Sequence, residues 1–392
     1  MSFKAKALMA AFLFTAAAPV PALAAQKQAA PAAAPKLVPS KEAQPALLAL
    51  QKAANENRVA DLPALSQAAL AVAKTPTDRY FAYQLQLKPY LTANNEAATL
   101  AAIEGMIASG VPTGGDLANL TFNASRLAYN TGALDKASTY IGQSLAQDPN
   151  NPDAHIIAGE IFNKQKRYPE AVAALQKAMA VGQATGKTVD PNVSKRAFAI
   201  AYNNKLPVAK DLAIAQLKAA PSTDNWRAAI KLQEQLGNYQ ATDKLDLFRL
   251  QRVTNSLVGE GDYYPYVDGL LTKGLPGEAK AVLTEAFAAG KLDKTKPLWK
   301  EMLATATQRD ASDKSAPNGD VYLGRGDFAK AAAAYRSEAA KGGAAADIAN
   351  LRLGIALARS GDKAGATAAL QSVKGQRAGI ASMWLLYLQT AA

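Results

Sequence analysis

The stretch Gly326-Asp327-Phe328-Ala329-Lys330-Ala331 is followed, 35 residues on, by Gly361-Asp362-Lys363-Ala364-Gly365-Ala366. Each opens with a glycine able to take the left-handed conformation that ends a helix. Each continues with an aspartate suited to cap the next helix, then reaches a small residue four positions later. The same form appears at Gly132-Ala133-Leu134-Asp135-Lys136-Ala137 and, 34 residues later, at Lys166-Arg167-Tyr168-Pro169-Glu170-Ala171. Gly237-Asn238-Tyr239 and Gly274-Leu275-Pro276-Gly277-Glu278-Ala279 follow it too. A turn, an apolar residue and a small residue recurring at this period mark stacked helical hairpins. Arg325-Gly326-Asp327 is a tripeptide that integrins read in extracellular ligands. Here it holds the same place as Ser360-Gly361-Asp362 one unit later, so it reads as a repeat turn.

Working outward, the composition agrees. Hydrophobic residues make up 49% of the 392, much of that is alanine, and aromatics are only 7%. Such a chain suits closely packed helices. Alternating Val, Ile and Thr runs are too short to signal strands.

Residues outside the turns then align with a known pattern. The unit around 347–380 has Asn350, Leu353-Gly354, Leu357, Ala366 and Leu370; the one before it has Gly319, Tyr322, Ala331 and Tyr335. Residues 152–185 supply His155, Ala158-Gly159, Phe162, Ala171 and Leu175, and residues 118–151 supply Ala137 and Ile141 before the break Asp148-Pro149-Asn150-Asn151. This resembles the tetratricopeptide repeat, W-x2-L-G-x2-Y then A-x3-F then P, at about 34 residues per unit. The resemblance implies an all-α solenoid of antiparallel helix pairs, a right-handed superhelix of about nine hairpins. Gly159 and Gly354 would face Ala171 and Ala366 where paired helices approach most closely. Weaker units are expected around Asn57, Asn94, 203–209 and Trp226–Thr242.

The amino terminus differs from all of this. Lys4 and Lys6 precede an apolar stretch from Ala7 to Val20, then Ala22-Leu23-Ala24. A charged start, a short apolar core and a small-x-small site form a secretory signal. The expected layout is therefore a signal peptide over 1–24 and a Pro/Ala-rich flexible linker over 25–46. Helical repeats follow over 47–290, an inserted helix and linker over 291–314, and C-terminal repeats with a closing helix over 315–392. That closing helix, at 380–389, is expected to cover the exposed end of the array. The mature chain is expected in the periplasm or medium, without a transmembrane segment.

Chemistry is sparse. The chain has one histidine and no cysteine, which excludes disulfides, cysteine nucleophiles, thiolate metal sites and H-E-x-x-H zinc sites. No phosphate-binding G-x-x-x-x-G-K-[ST] loop appears, and no cofactor, metal or catalytic residue is expected. His155 reads as a half-buried packing or groove residue and not as a catalytic base. Without Lys4 and Lys6 the net charge falls from +12 to +10, and the basic residues are scattered. That argues against nucleic acid, which needs a concentrated basic face, and leaves attraction to an anionic polysaccharide open.

The resemblance implies a scaffold that binds a protein or peptide partner of the cell envelope in a concave groove lined by first helices. The groove residues of the two clearest consecutive units are Asn119, Phe122, Arg126 and Tyr129, then Ile156, Glu160 and Asn163. Two alternatives stand beside it. One is a scaffold for polysaccharide export or outer-membrane assembly. The other is a carbohydrate-active enzyme using Glu260 and Asp262 in "GEGDYYPY". Cell fractionation tests the amino-terminal reading: a mature chain beginning near Ala25 is expected outside the cytoplasm, and an intact Met1 form recovered inside it refutes export.

Overall fold

The computed structural model describes residues 37–312, 317–343 and 345–390. The expected signal peptide, and the linker as far as residue 36, lie outside the described residues. Two compact units divide the chain, one through Leu206 and one from Pro207. Among the described residues there are twenty α-helices and no strand.

The first unit holds α1 (Gln44–Asn55), α2 (Leu62–Val72), α3 (Pro76–Thr92), α4 (Glu96–Ala108), α5 (Gly114–Asn130), α6 (Leu134–Gln147), α7 (Pro152–Lys164), α8 (Tyr168–Thr185) and α9 (Asn192–Asn203). The second holds α10 (Ala209–Ala219), α11 (Thr223–Gly237), α12 (Ala241–Val253), α13 (Glu260–Thr272), α14 (Pro276–Ala288) and α15 (Pro297–Ser312). It continues through α16 (Gly319–Gly324), α17 (Phe328–Ala340), α18 (Ala346–Ser360), α19 (Lys363–Gln371) and α20 (Ala378–Thr390).

Sequence chemistry sets these boundaries. Among the described residues, eight turns within packed helix pairs carry one residue at positive φ: Asn57, Asn94, Gly132, Lys166, Asn238, Gly274, Gly326 and Gly361. Eight such pairs stand beside the expected count of about nine hairpins. At the turn that opened the sequence argument, Gly326 has φ +78° and the Asp327 carboxylate accepts a hydrogen bond from the backbone N–H of Lys330. One repeat later, Asp362 accepts from Gly365 N at 2.8 Å. Thr75 and Asp78 form a reciprocal capping box on α3, satisfying two amide donors that a helix start leaves open.

The end of the expected linker is ordered. Helix α1 begins at Gln44, and Ser40 donates to both Asp78 oxygens, at 2.7 Å from its N and 2.8 Å from its Oγ. Burial alone would raise the Asp78 pKa. Hydrogen bonds from Ser40, Thr75 and Lys74 outweigh it and hold the carboxyl well below the usual range. The segment expected as an insertion contains α15, which packs on α14 and buries Trp299, Met302 and Ala306 in the core of the second unit.

Packing within pairs depends on missing side chains. A Cβ on Gly159 would fall 2.7 Å from Leu175 Cγ, and one on Gly354 would fall 2.5 Å from Leu370 Cγ. The backbone carbonyls of Ala171 and Ala366 stand 3.2 and 3.3 Å from the same two points. Leu175, Leu370, Ala171 and Ala366 are all buried.

The second unit closes on itself. Helix α20 packs on α19 and also on α11, α12 and α18. Trp384 Nε1 donates to the Asp246 carbonyl at 3.0 Å, Arg377 pairs with Asp243 at 2.8 Å, and Gln376 donates to the Asn238 carbonyl at 2.8 Å. The closing helix therefore returns to early helices of its own unit instead of covering only the last repeat.

A chain of buried charges runs between these helices. Tyr266 donates to Glu278 at 2.8 Å, and Arg249 grips Glu278 with two hydrogen bonds at 3.0 and 2.6 Å. Arg249 also donates to Asp246 at 2.7 Å. Arg352 joins Asp246 at 3.3 Å to Asp320 at 2.9 Å, and Tyr335 donates to Asp320. Charges alternate along the run, so each ion's desolvation is offset by opposite neighbours. Burial pushes the Glu278 pKa up, but the Arg249 guanidinium outweighs it and holds Glu278 below the usual carboxylate range.

Two predictions follow from this packing. Gly354→Leu should destabilise the second unit by about 1–3 kcal/mol, the usual cost of overpacking a close crossing, as read by urea denaturation. Glu278→Leu should cost about 3–5 kcal/mol because it removes a bidentate partner of buried Arg249, leaving only Asp246, and the acceptor of Tyr266, whereas Arg249→Met with Glu278→Leu should cost less. Because the folded pKa of Glu278 is depressed, its stabilisation is complete above the ordinary carboxylate range. It is lost as pH falls below that range through the folded value, and acid melts of parent and double variant should converge there.

Candidate functional site

Helix α5 places Asn119, Phe122, Arg126 and Tyr129 along one face, since steps of three and four residues return to the same side of a helix. Its other side, with Ala124, Ser125 and Ala128, is buried. Asn119 is exposed; Phe122, Arg126 and Tyr129 are half-buried. Both Phe122 and Tyr129 pack against the core of the first unit, so their rings do structural work as well as lining a face. The Arg126 guanidinium lies 5.8 Å from the centre of the Phe122 ring. Burial lowers the Arg126 pKa, while the carboxylates of Asp153 and Glu96 act to raise it. Acidic groups of α4 and α7 therefore flank this arginine.

Helix α7 contributes Ile156, Glu160 and Asn163, all half-buried. Glu160 brings a partner that sequence reasoning missed: Arg196 of α9, whose Nη1 stands 2.7 Å from Glu160 Oε1. The contact is an ion pair by distance but is not aligned as a hydrogen bond. Glu160 Oε1 and Arg196 Nε are buried atoms without hydrogen-bond partners. Tyr129 joins the group, its pKa raised by burial and by the Glu160 charge against the opposing effect of Arg196. Tyr129, Glu160 and Arg196 thus form a cluster across α5, α7 and α9. A signal for Arg196 existed in the register, since Arg196 follows Glu160 by 36 residues, about one repeat. His155 turns the other way, its Nε2 lying 3.0 Å from the Pro149 carbonyl.

The paired carboxylates of "GEGDYYPY" are engaged structurally. Asp262 is buried, accepts from Val258 N at 2.8 Å and pairs with Arg227 at 3.1 Å and Lys231 at 3.0 Å. Glu260 pairs with Lys296 at 2.6 Å. Tyr263 and Tyr266 are buried in the core.

The second unit holds a cleft of about 430 Å³ beside the buried ion chain. Its charged lining is Arg249, Arg252, Arg325 and Arg359 with Glu278 and Glu285. Arg252 grips Glu285 through two hydrogen bonds at 2.8 and 2.5 Å. The repeat turn supplies one wall through Gly324, Arg325, Gly326 and Phe328. Gly324 allows that wall to approach, because a Cβ there would fall 2.7 Å from Glu278 Cβ. Among the described residues, no cluster of acidic and histidine side chains could hold a metal ion, and no helix is long and apolar enough to cross a membrane.

Comparison with known proteins bears on the repeats. Residues 122–184 and 317–379 match the tetratricopeptide-repeat family model. No curated protein matches the chain. Among solved structures, the C-terminal part of a tetratricopeptide repeat-containing protein from Cytophaga hutchinsonii is 13% identical, covering 68% of this chain and 96% of that one with a TM-score of 0.34. A tetratricopeptide repeat protein from Parabacteroides merdae is 12% identical, covering 68% of this chain and 100% of that one with a TM-score of 0.33. The two matched segments fall one in each compact unit, on the turns and helix crossings described above, so each unit carries tetratricopeptide repeats.

Proposed function

We propose that this chain is an exported, non-catalytic scaffold of the cell envelope that binds a protein or peptide partner along the α5–α7–α9 face of its first unit. The observation that carries the reading is the Tyr129–Glu160–Arg196 cluster. The Glu160–Arg196 ion pair leaves the carboxylate able to accept, and the guanidinium able to donate, further hydrogen bonds. An extended peptide supplies the matching donor and acceptor from its own backbone at every residue. Phe122, Arg126 and Tyr129 add the residue types that commonly dominate binding energy. Asn119 at the exposed end of α5, with Ile156 and Asn163 on α7, completes the proposed surface. Export is supported by the composition of residues 1–24, and the scaffold role by the repeats themselves. The engagement of Glu260 and Asp262 in structural ion pairs supports a non-catalytic role.

Capture of envelope proteins by the purified chain tests the surface. Arg126→Glu with Tyr129→Ala should abolish capture of the partner while leaving the circular dichroism melt within a few degrees of the parent. Capture that survives the pair of substitutions, or a collapse of the melt with them, removes this face as the binding surface.

A further inference from the structure

The arginine-lined cleft of the second unit has more positive charge than its own carboxylates neutralise. Arg249 is balanced by Glu278 and Asp246, and Arg252 by Glu285. Two guanidinium groups remain. Arg325 stands 3.5 Å from Asp310, which it shares with Lys280 at 3.7 Å, so that acid is divided between two cations. Among the described residues, Arg359 pairs with no carboxylate. It lies instead over the Phe328 ring, 4.9 Å from its centre. Burial and then the nearby Arg252 charge push its pKa below the ordinary guanidinium value. The fold thus holds Arg252 and Arg359 near one another, and the nearby Glu285 carboxylate, already paired with Arg252, offsets Arg359 only in part.

We propose that this cleft binds a small, multiply charged oxyanion, held by Arg359 and Arg325 with Arg252 at its edge. Guanidinium groups suit the task because their planar forks present paired donors to phosphate or carboxylate oxygens. Confinement strengthens it, since a cleft with protein walls focuses the field of its lining charges. The Phe328 ring holds Arg359 in place before the ligand arrives, which lowers the ordering cost of binding. Other features of the wall fit the same use. Gly324 and Gly326 bring the turn's backbone to the rim without side chains that would fill the space. Asp327, the nearest carboxylate in sequence to Arg325, is turned away to cap α17 and pairs with Lys330 at 2.7 Å. The site belongs wholly to the second unit and does not depend on the partner surface proposed for the first.

Titration calorimetry on the full chain tests it, with inorganic pyrophosphate in one arm and citrate in the other. Saturable binding of one equivalent in either arm is expected, and the arm that binds tells a phosphoryl from a carboxylate ligand. Arg359→Gln and Arg325→Gln should each weaken that binding by about tenfold or more, while Arg336→Gln, exposed on α17 and outside the cleft, should leave it unchanged. Without ligand, Arg359→Gln should keep or raise the melting temperature, because a disfavoured charge has been removed; a lowered one would mean that the guanidinium serves packing on Phe328. Should that variant fail to fold, the exposed Arg325→Gln carries the comparison. The proposal is overturned if neither anion binds at millimolar concentration, or if the Arg325 and Arg359 variants bind as tightly as the parent.

Discussion

Two helices can lie side by side only as closely as the side chains between them allow, and in this chain that limit is set by a glycine facing a leucine. Gly159 against Leu175 and Gly354 against Leu370 leave no room for even one additional carbon. The consequence spreads outward from each crossing. A first helix that turns its small residues toward its partner must carry its large ones elsewhere. On α5, Phe122 and Tyr129 therefore sit on the far side from Ala124, Ser125 and Ala128. The face that α5 turns away from its partner helix is set by the same packing rule that builds the pair.

Where this rule is written in the usual order, the sequence could be read directly. The turns at Gly132, Gly326 and Gly361, the caps at Asp327 and Asp362, and both close crossings followed from spacing and residue type. The early repeats were harder to read because the roles are exchanged. In the α3–α4 pair the glycine is on the second helix, where a Cβ on Gly105 would strike the Tyr83 ring of the first. At Gly269 the close neighbour is Leu245 of α12, which belongs to the preceding pair. Asn57, Asn94 and Asn238 replace glycine at left-handed turns, a position asparagine tolerates better than other residues with side chains. Of the candidate site, the α5 face was legible because one helix carries it. Its link to Arg196 was not, because that contact crosses repeats.

The buried ion chain was illegible for the same reason, since its members are scattered from Asp246 to Arg352. A local sign of it does exist: Arg352 interrupts the apolar run "NLRLGIAL", and Arg249 interrupts "LDLFRL". A charge inside such a run has to find an opposite one, or the helix has to expose it. Buried pairs of this kind often contribute little net stability compared with apolar packing. What they change is the cost of misalignment. If α12, α14 or α18 slipped by one turn, several charges would be buried without partners.

The return of α20 to α11 and α12 has a bearing on how the chain is made. An open array of repeats can fold from its first pair onward, each new pair docking on the last as it leaves the ribosome. The second unit is denied that course. Trp384 and Asp246 lie 138 residues apart in sequence, as do Gln376 and Asn238. Its early helices wait, with apolar surface uncovered, until almost the last residue has been synthesised. Contacts of such long range slow folding, so completion of the second unit is held back to the end of synthesis.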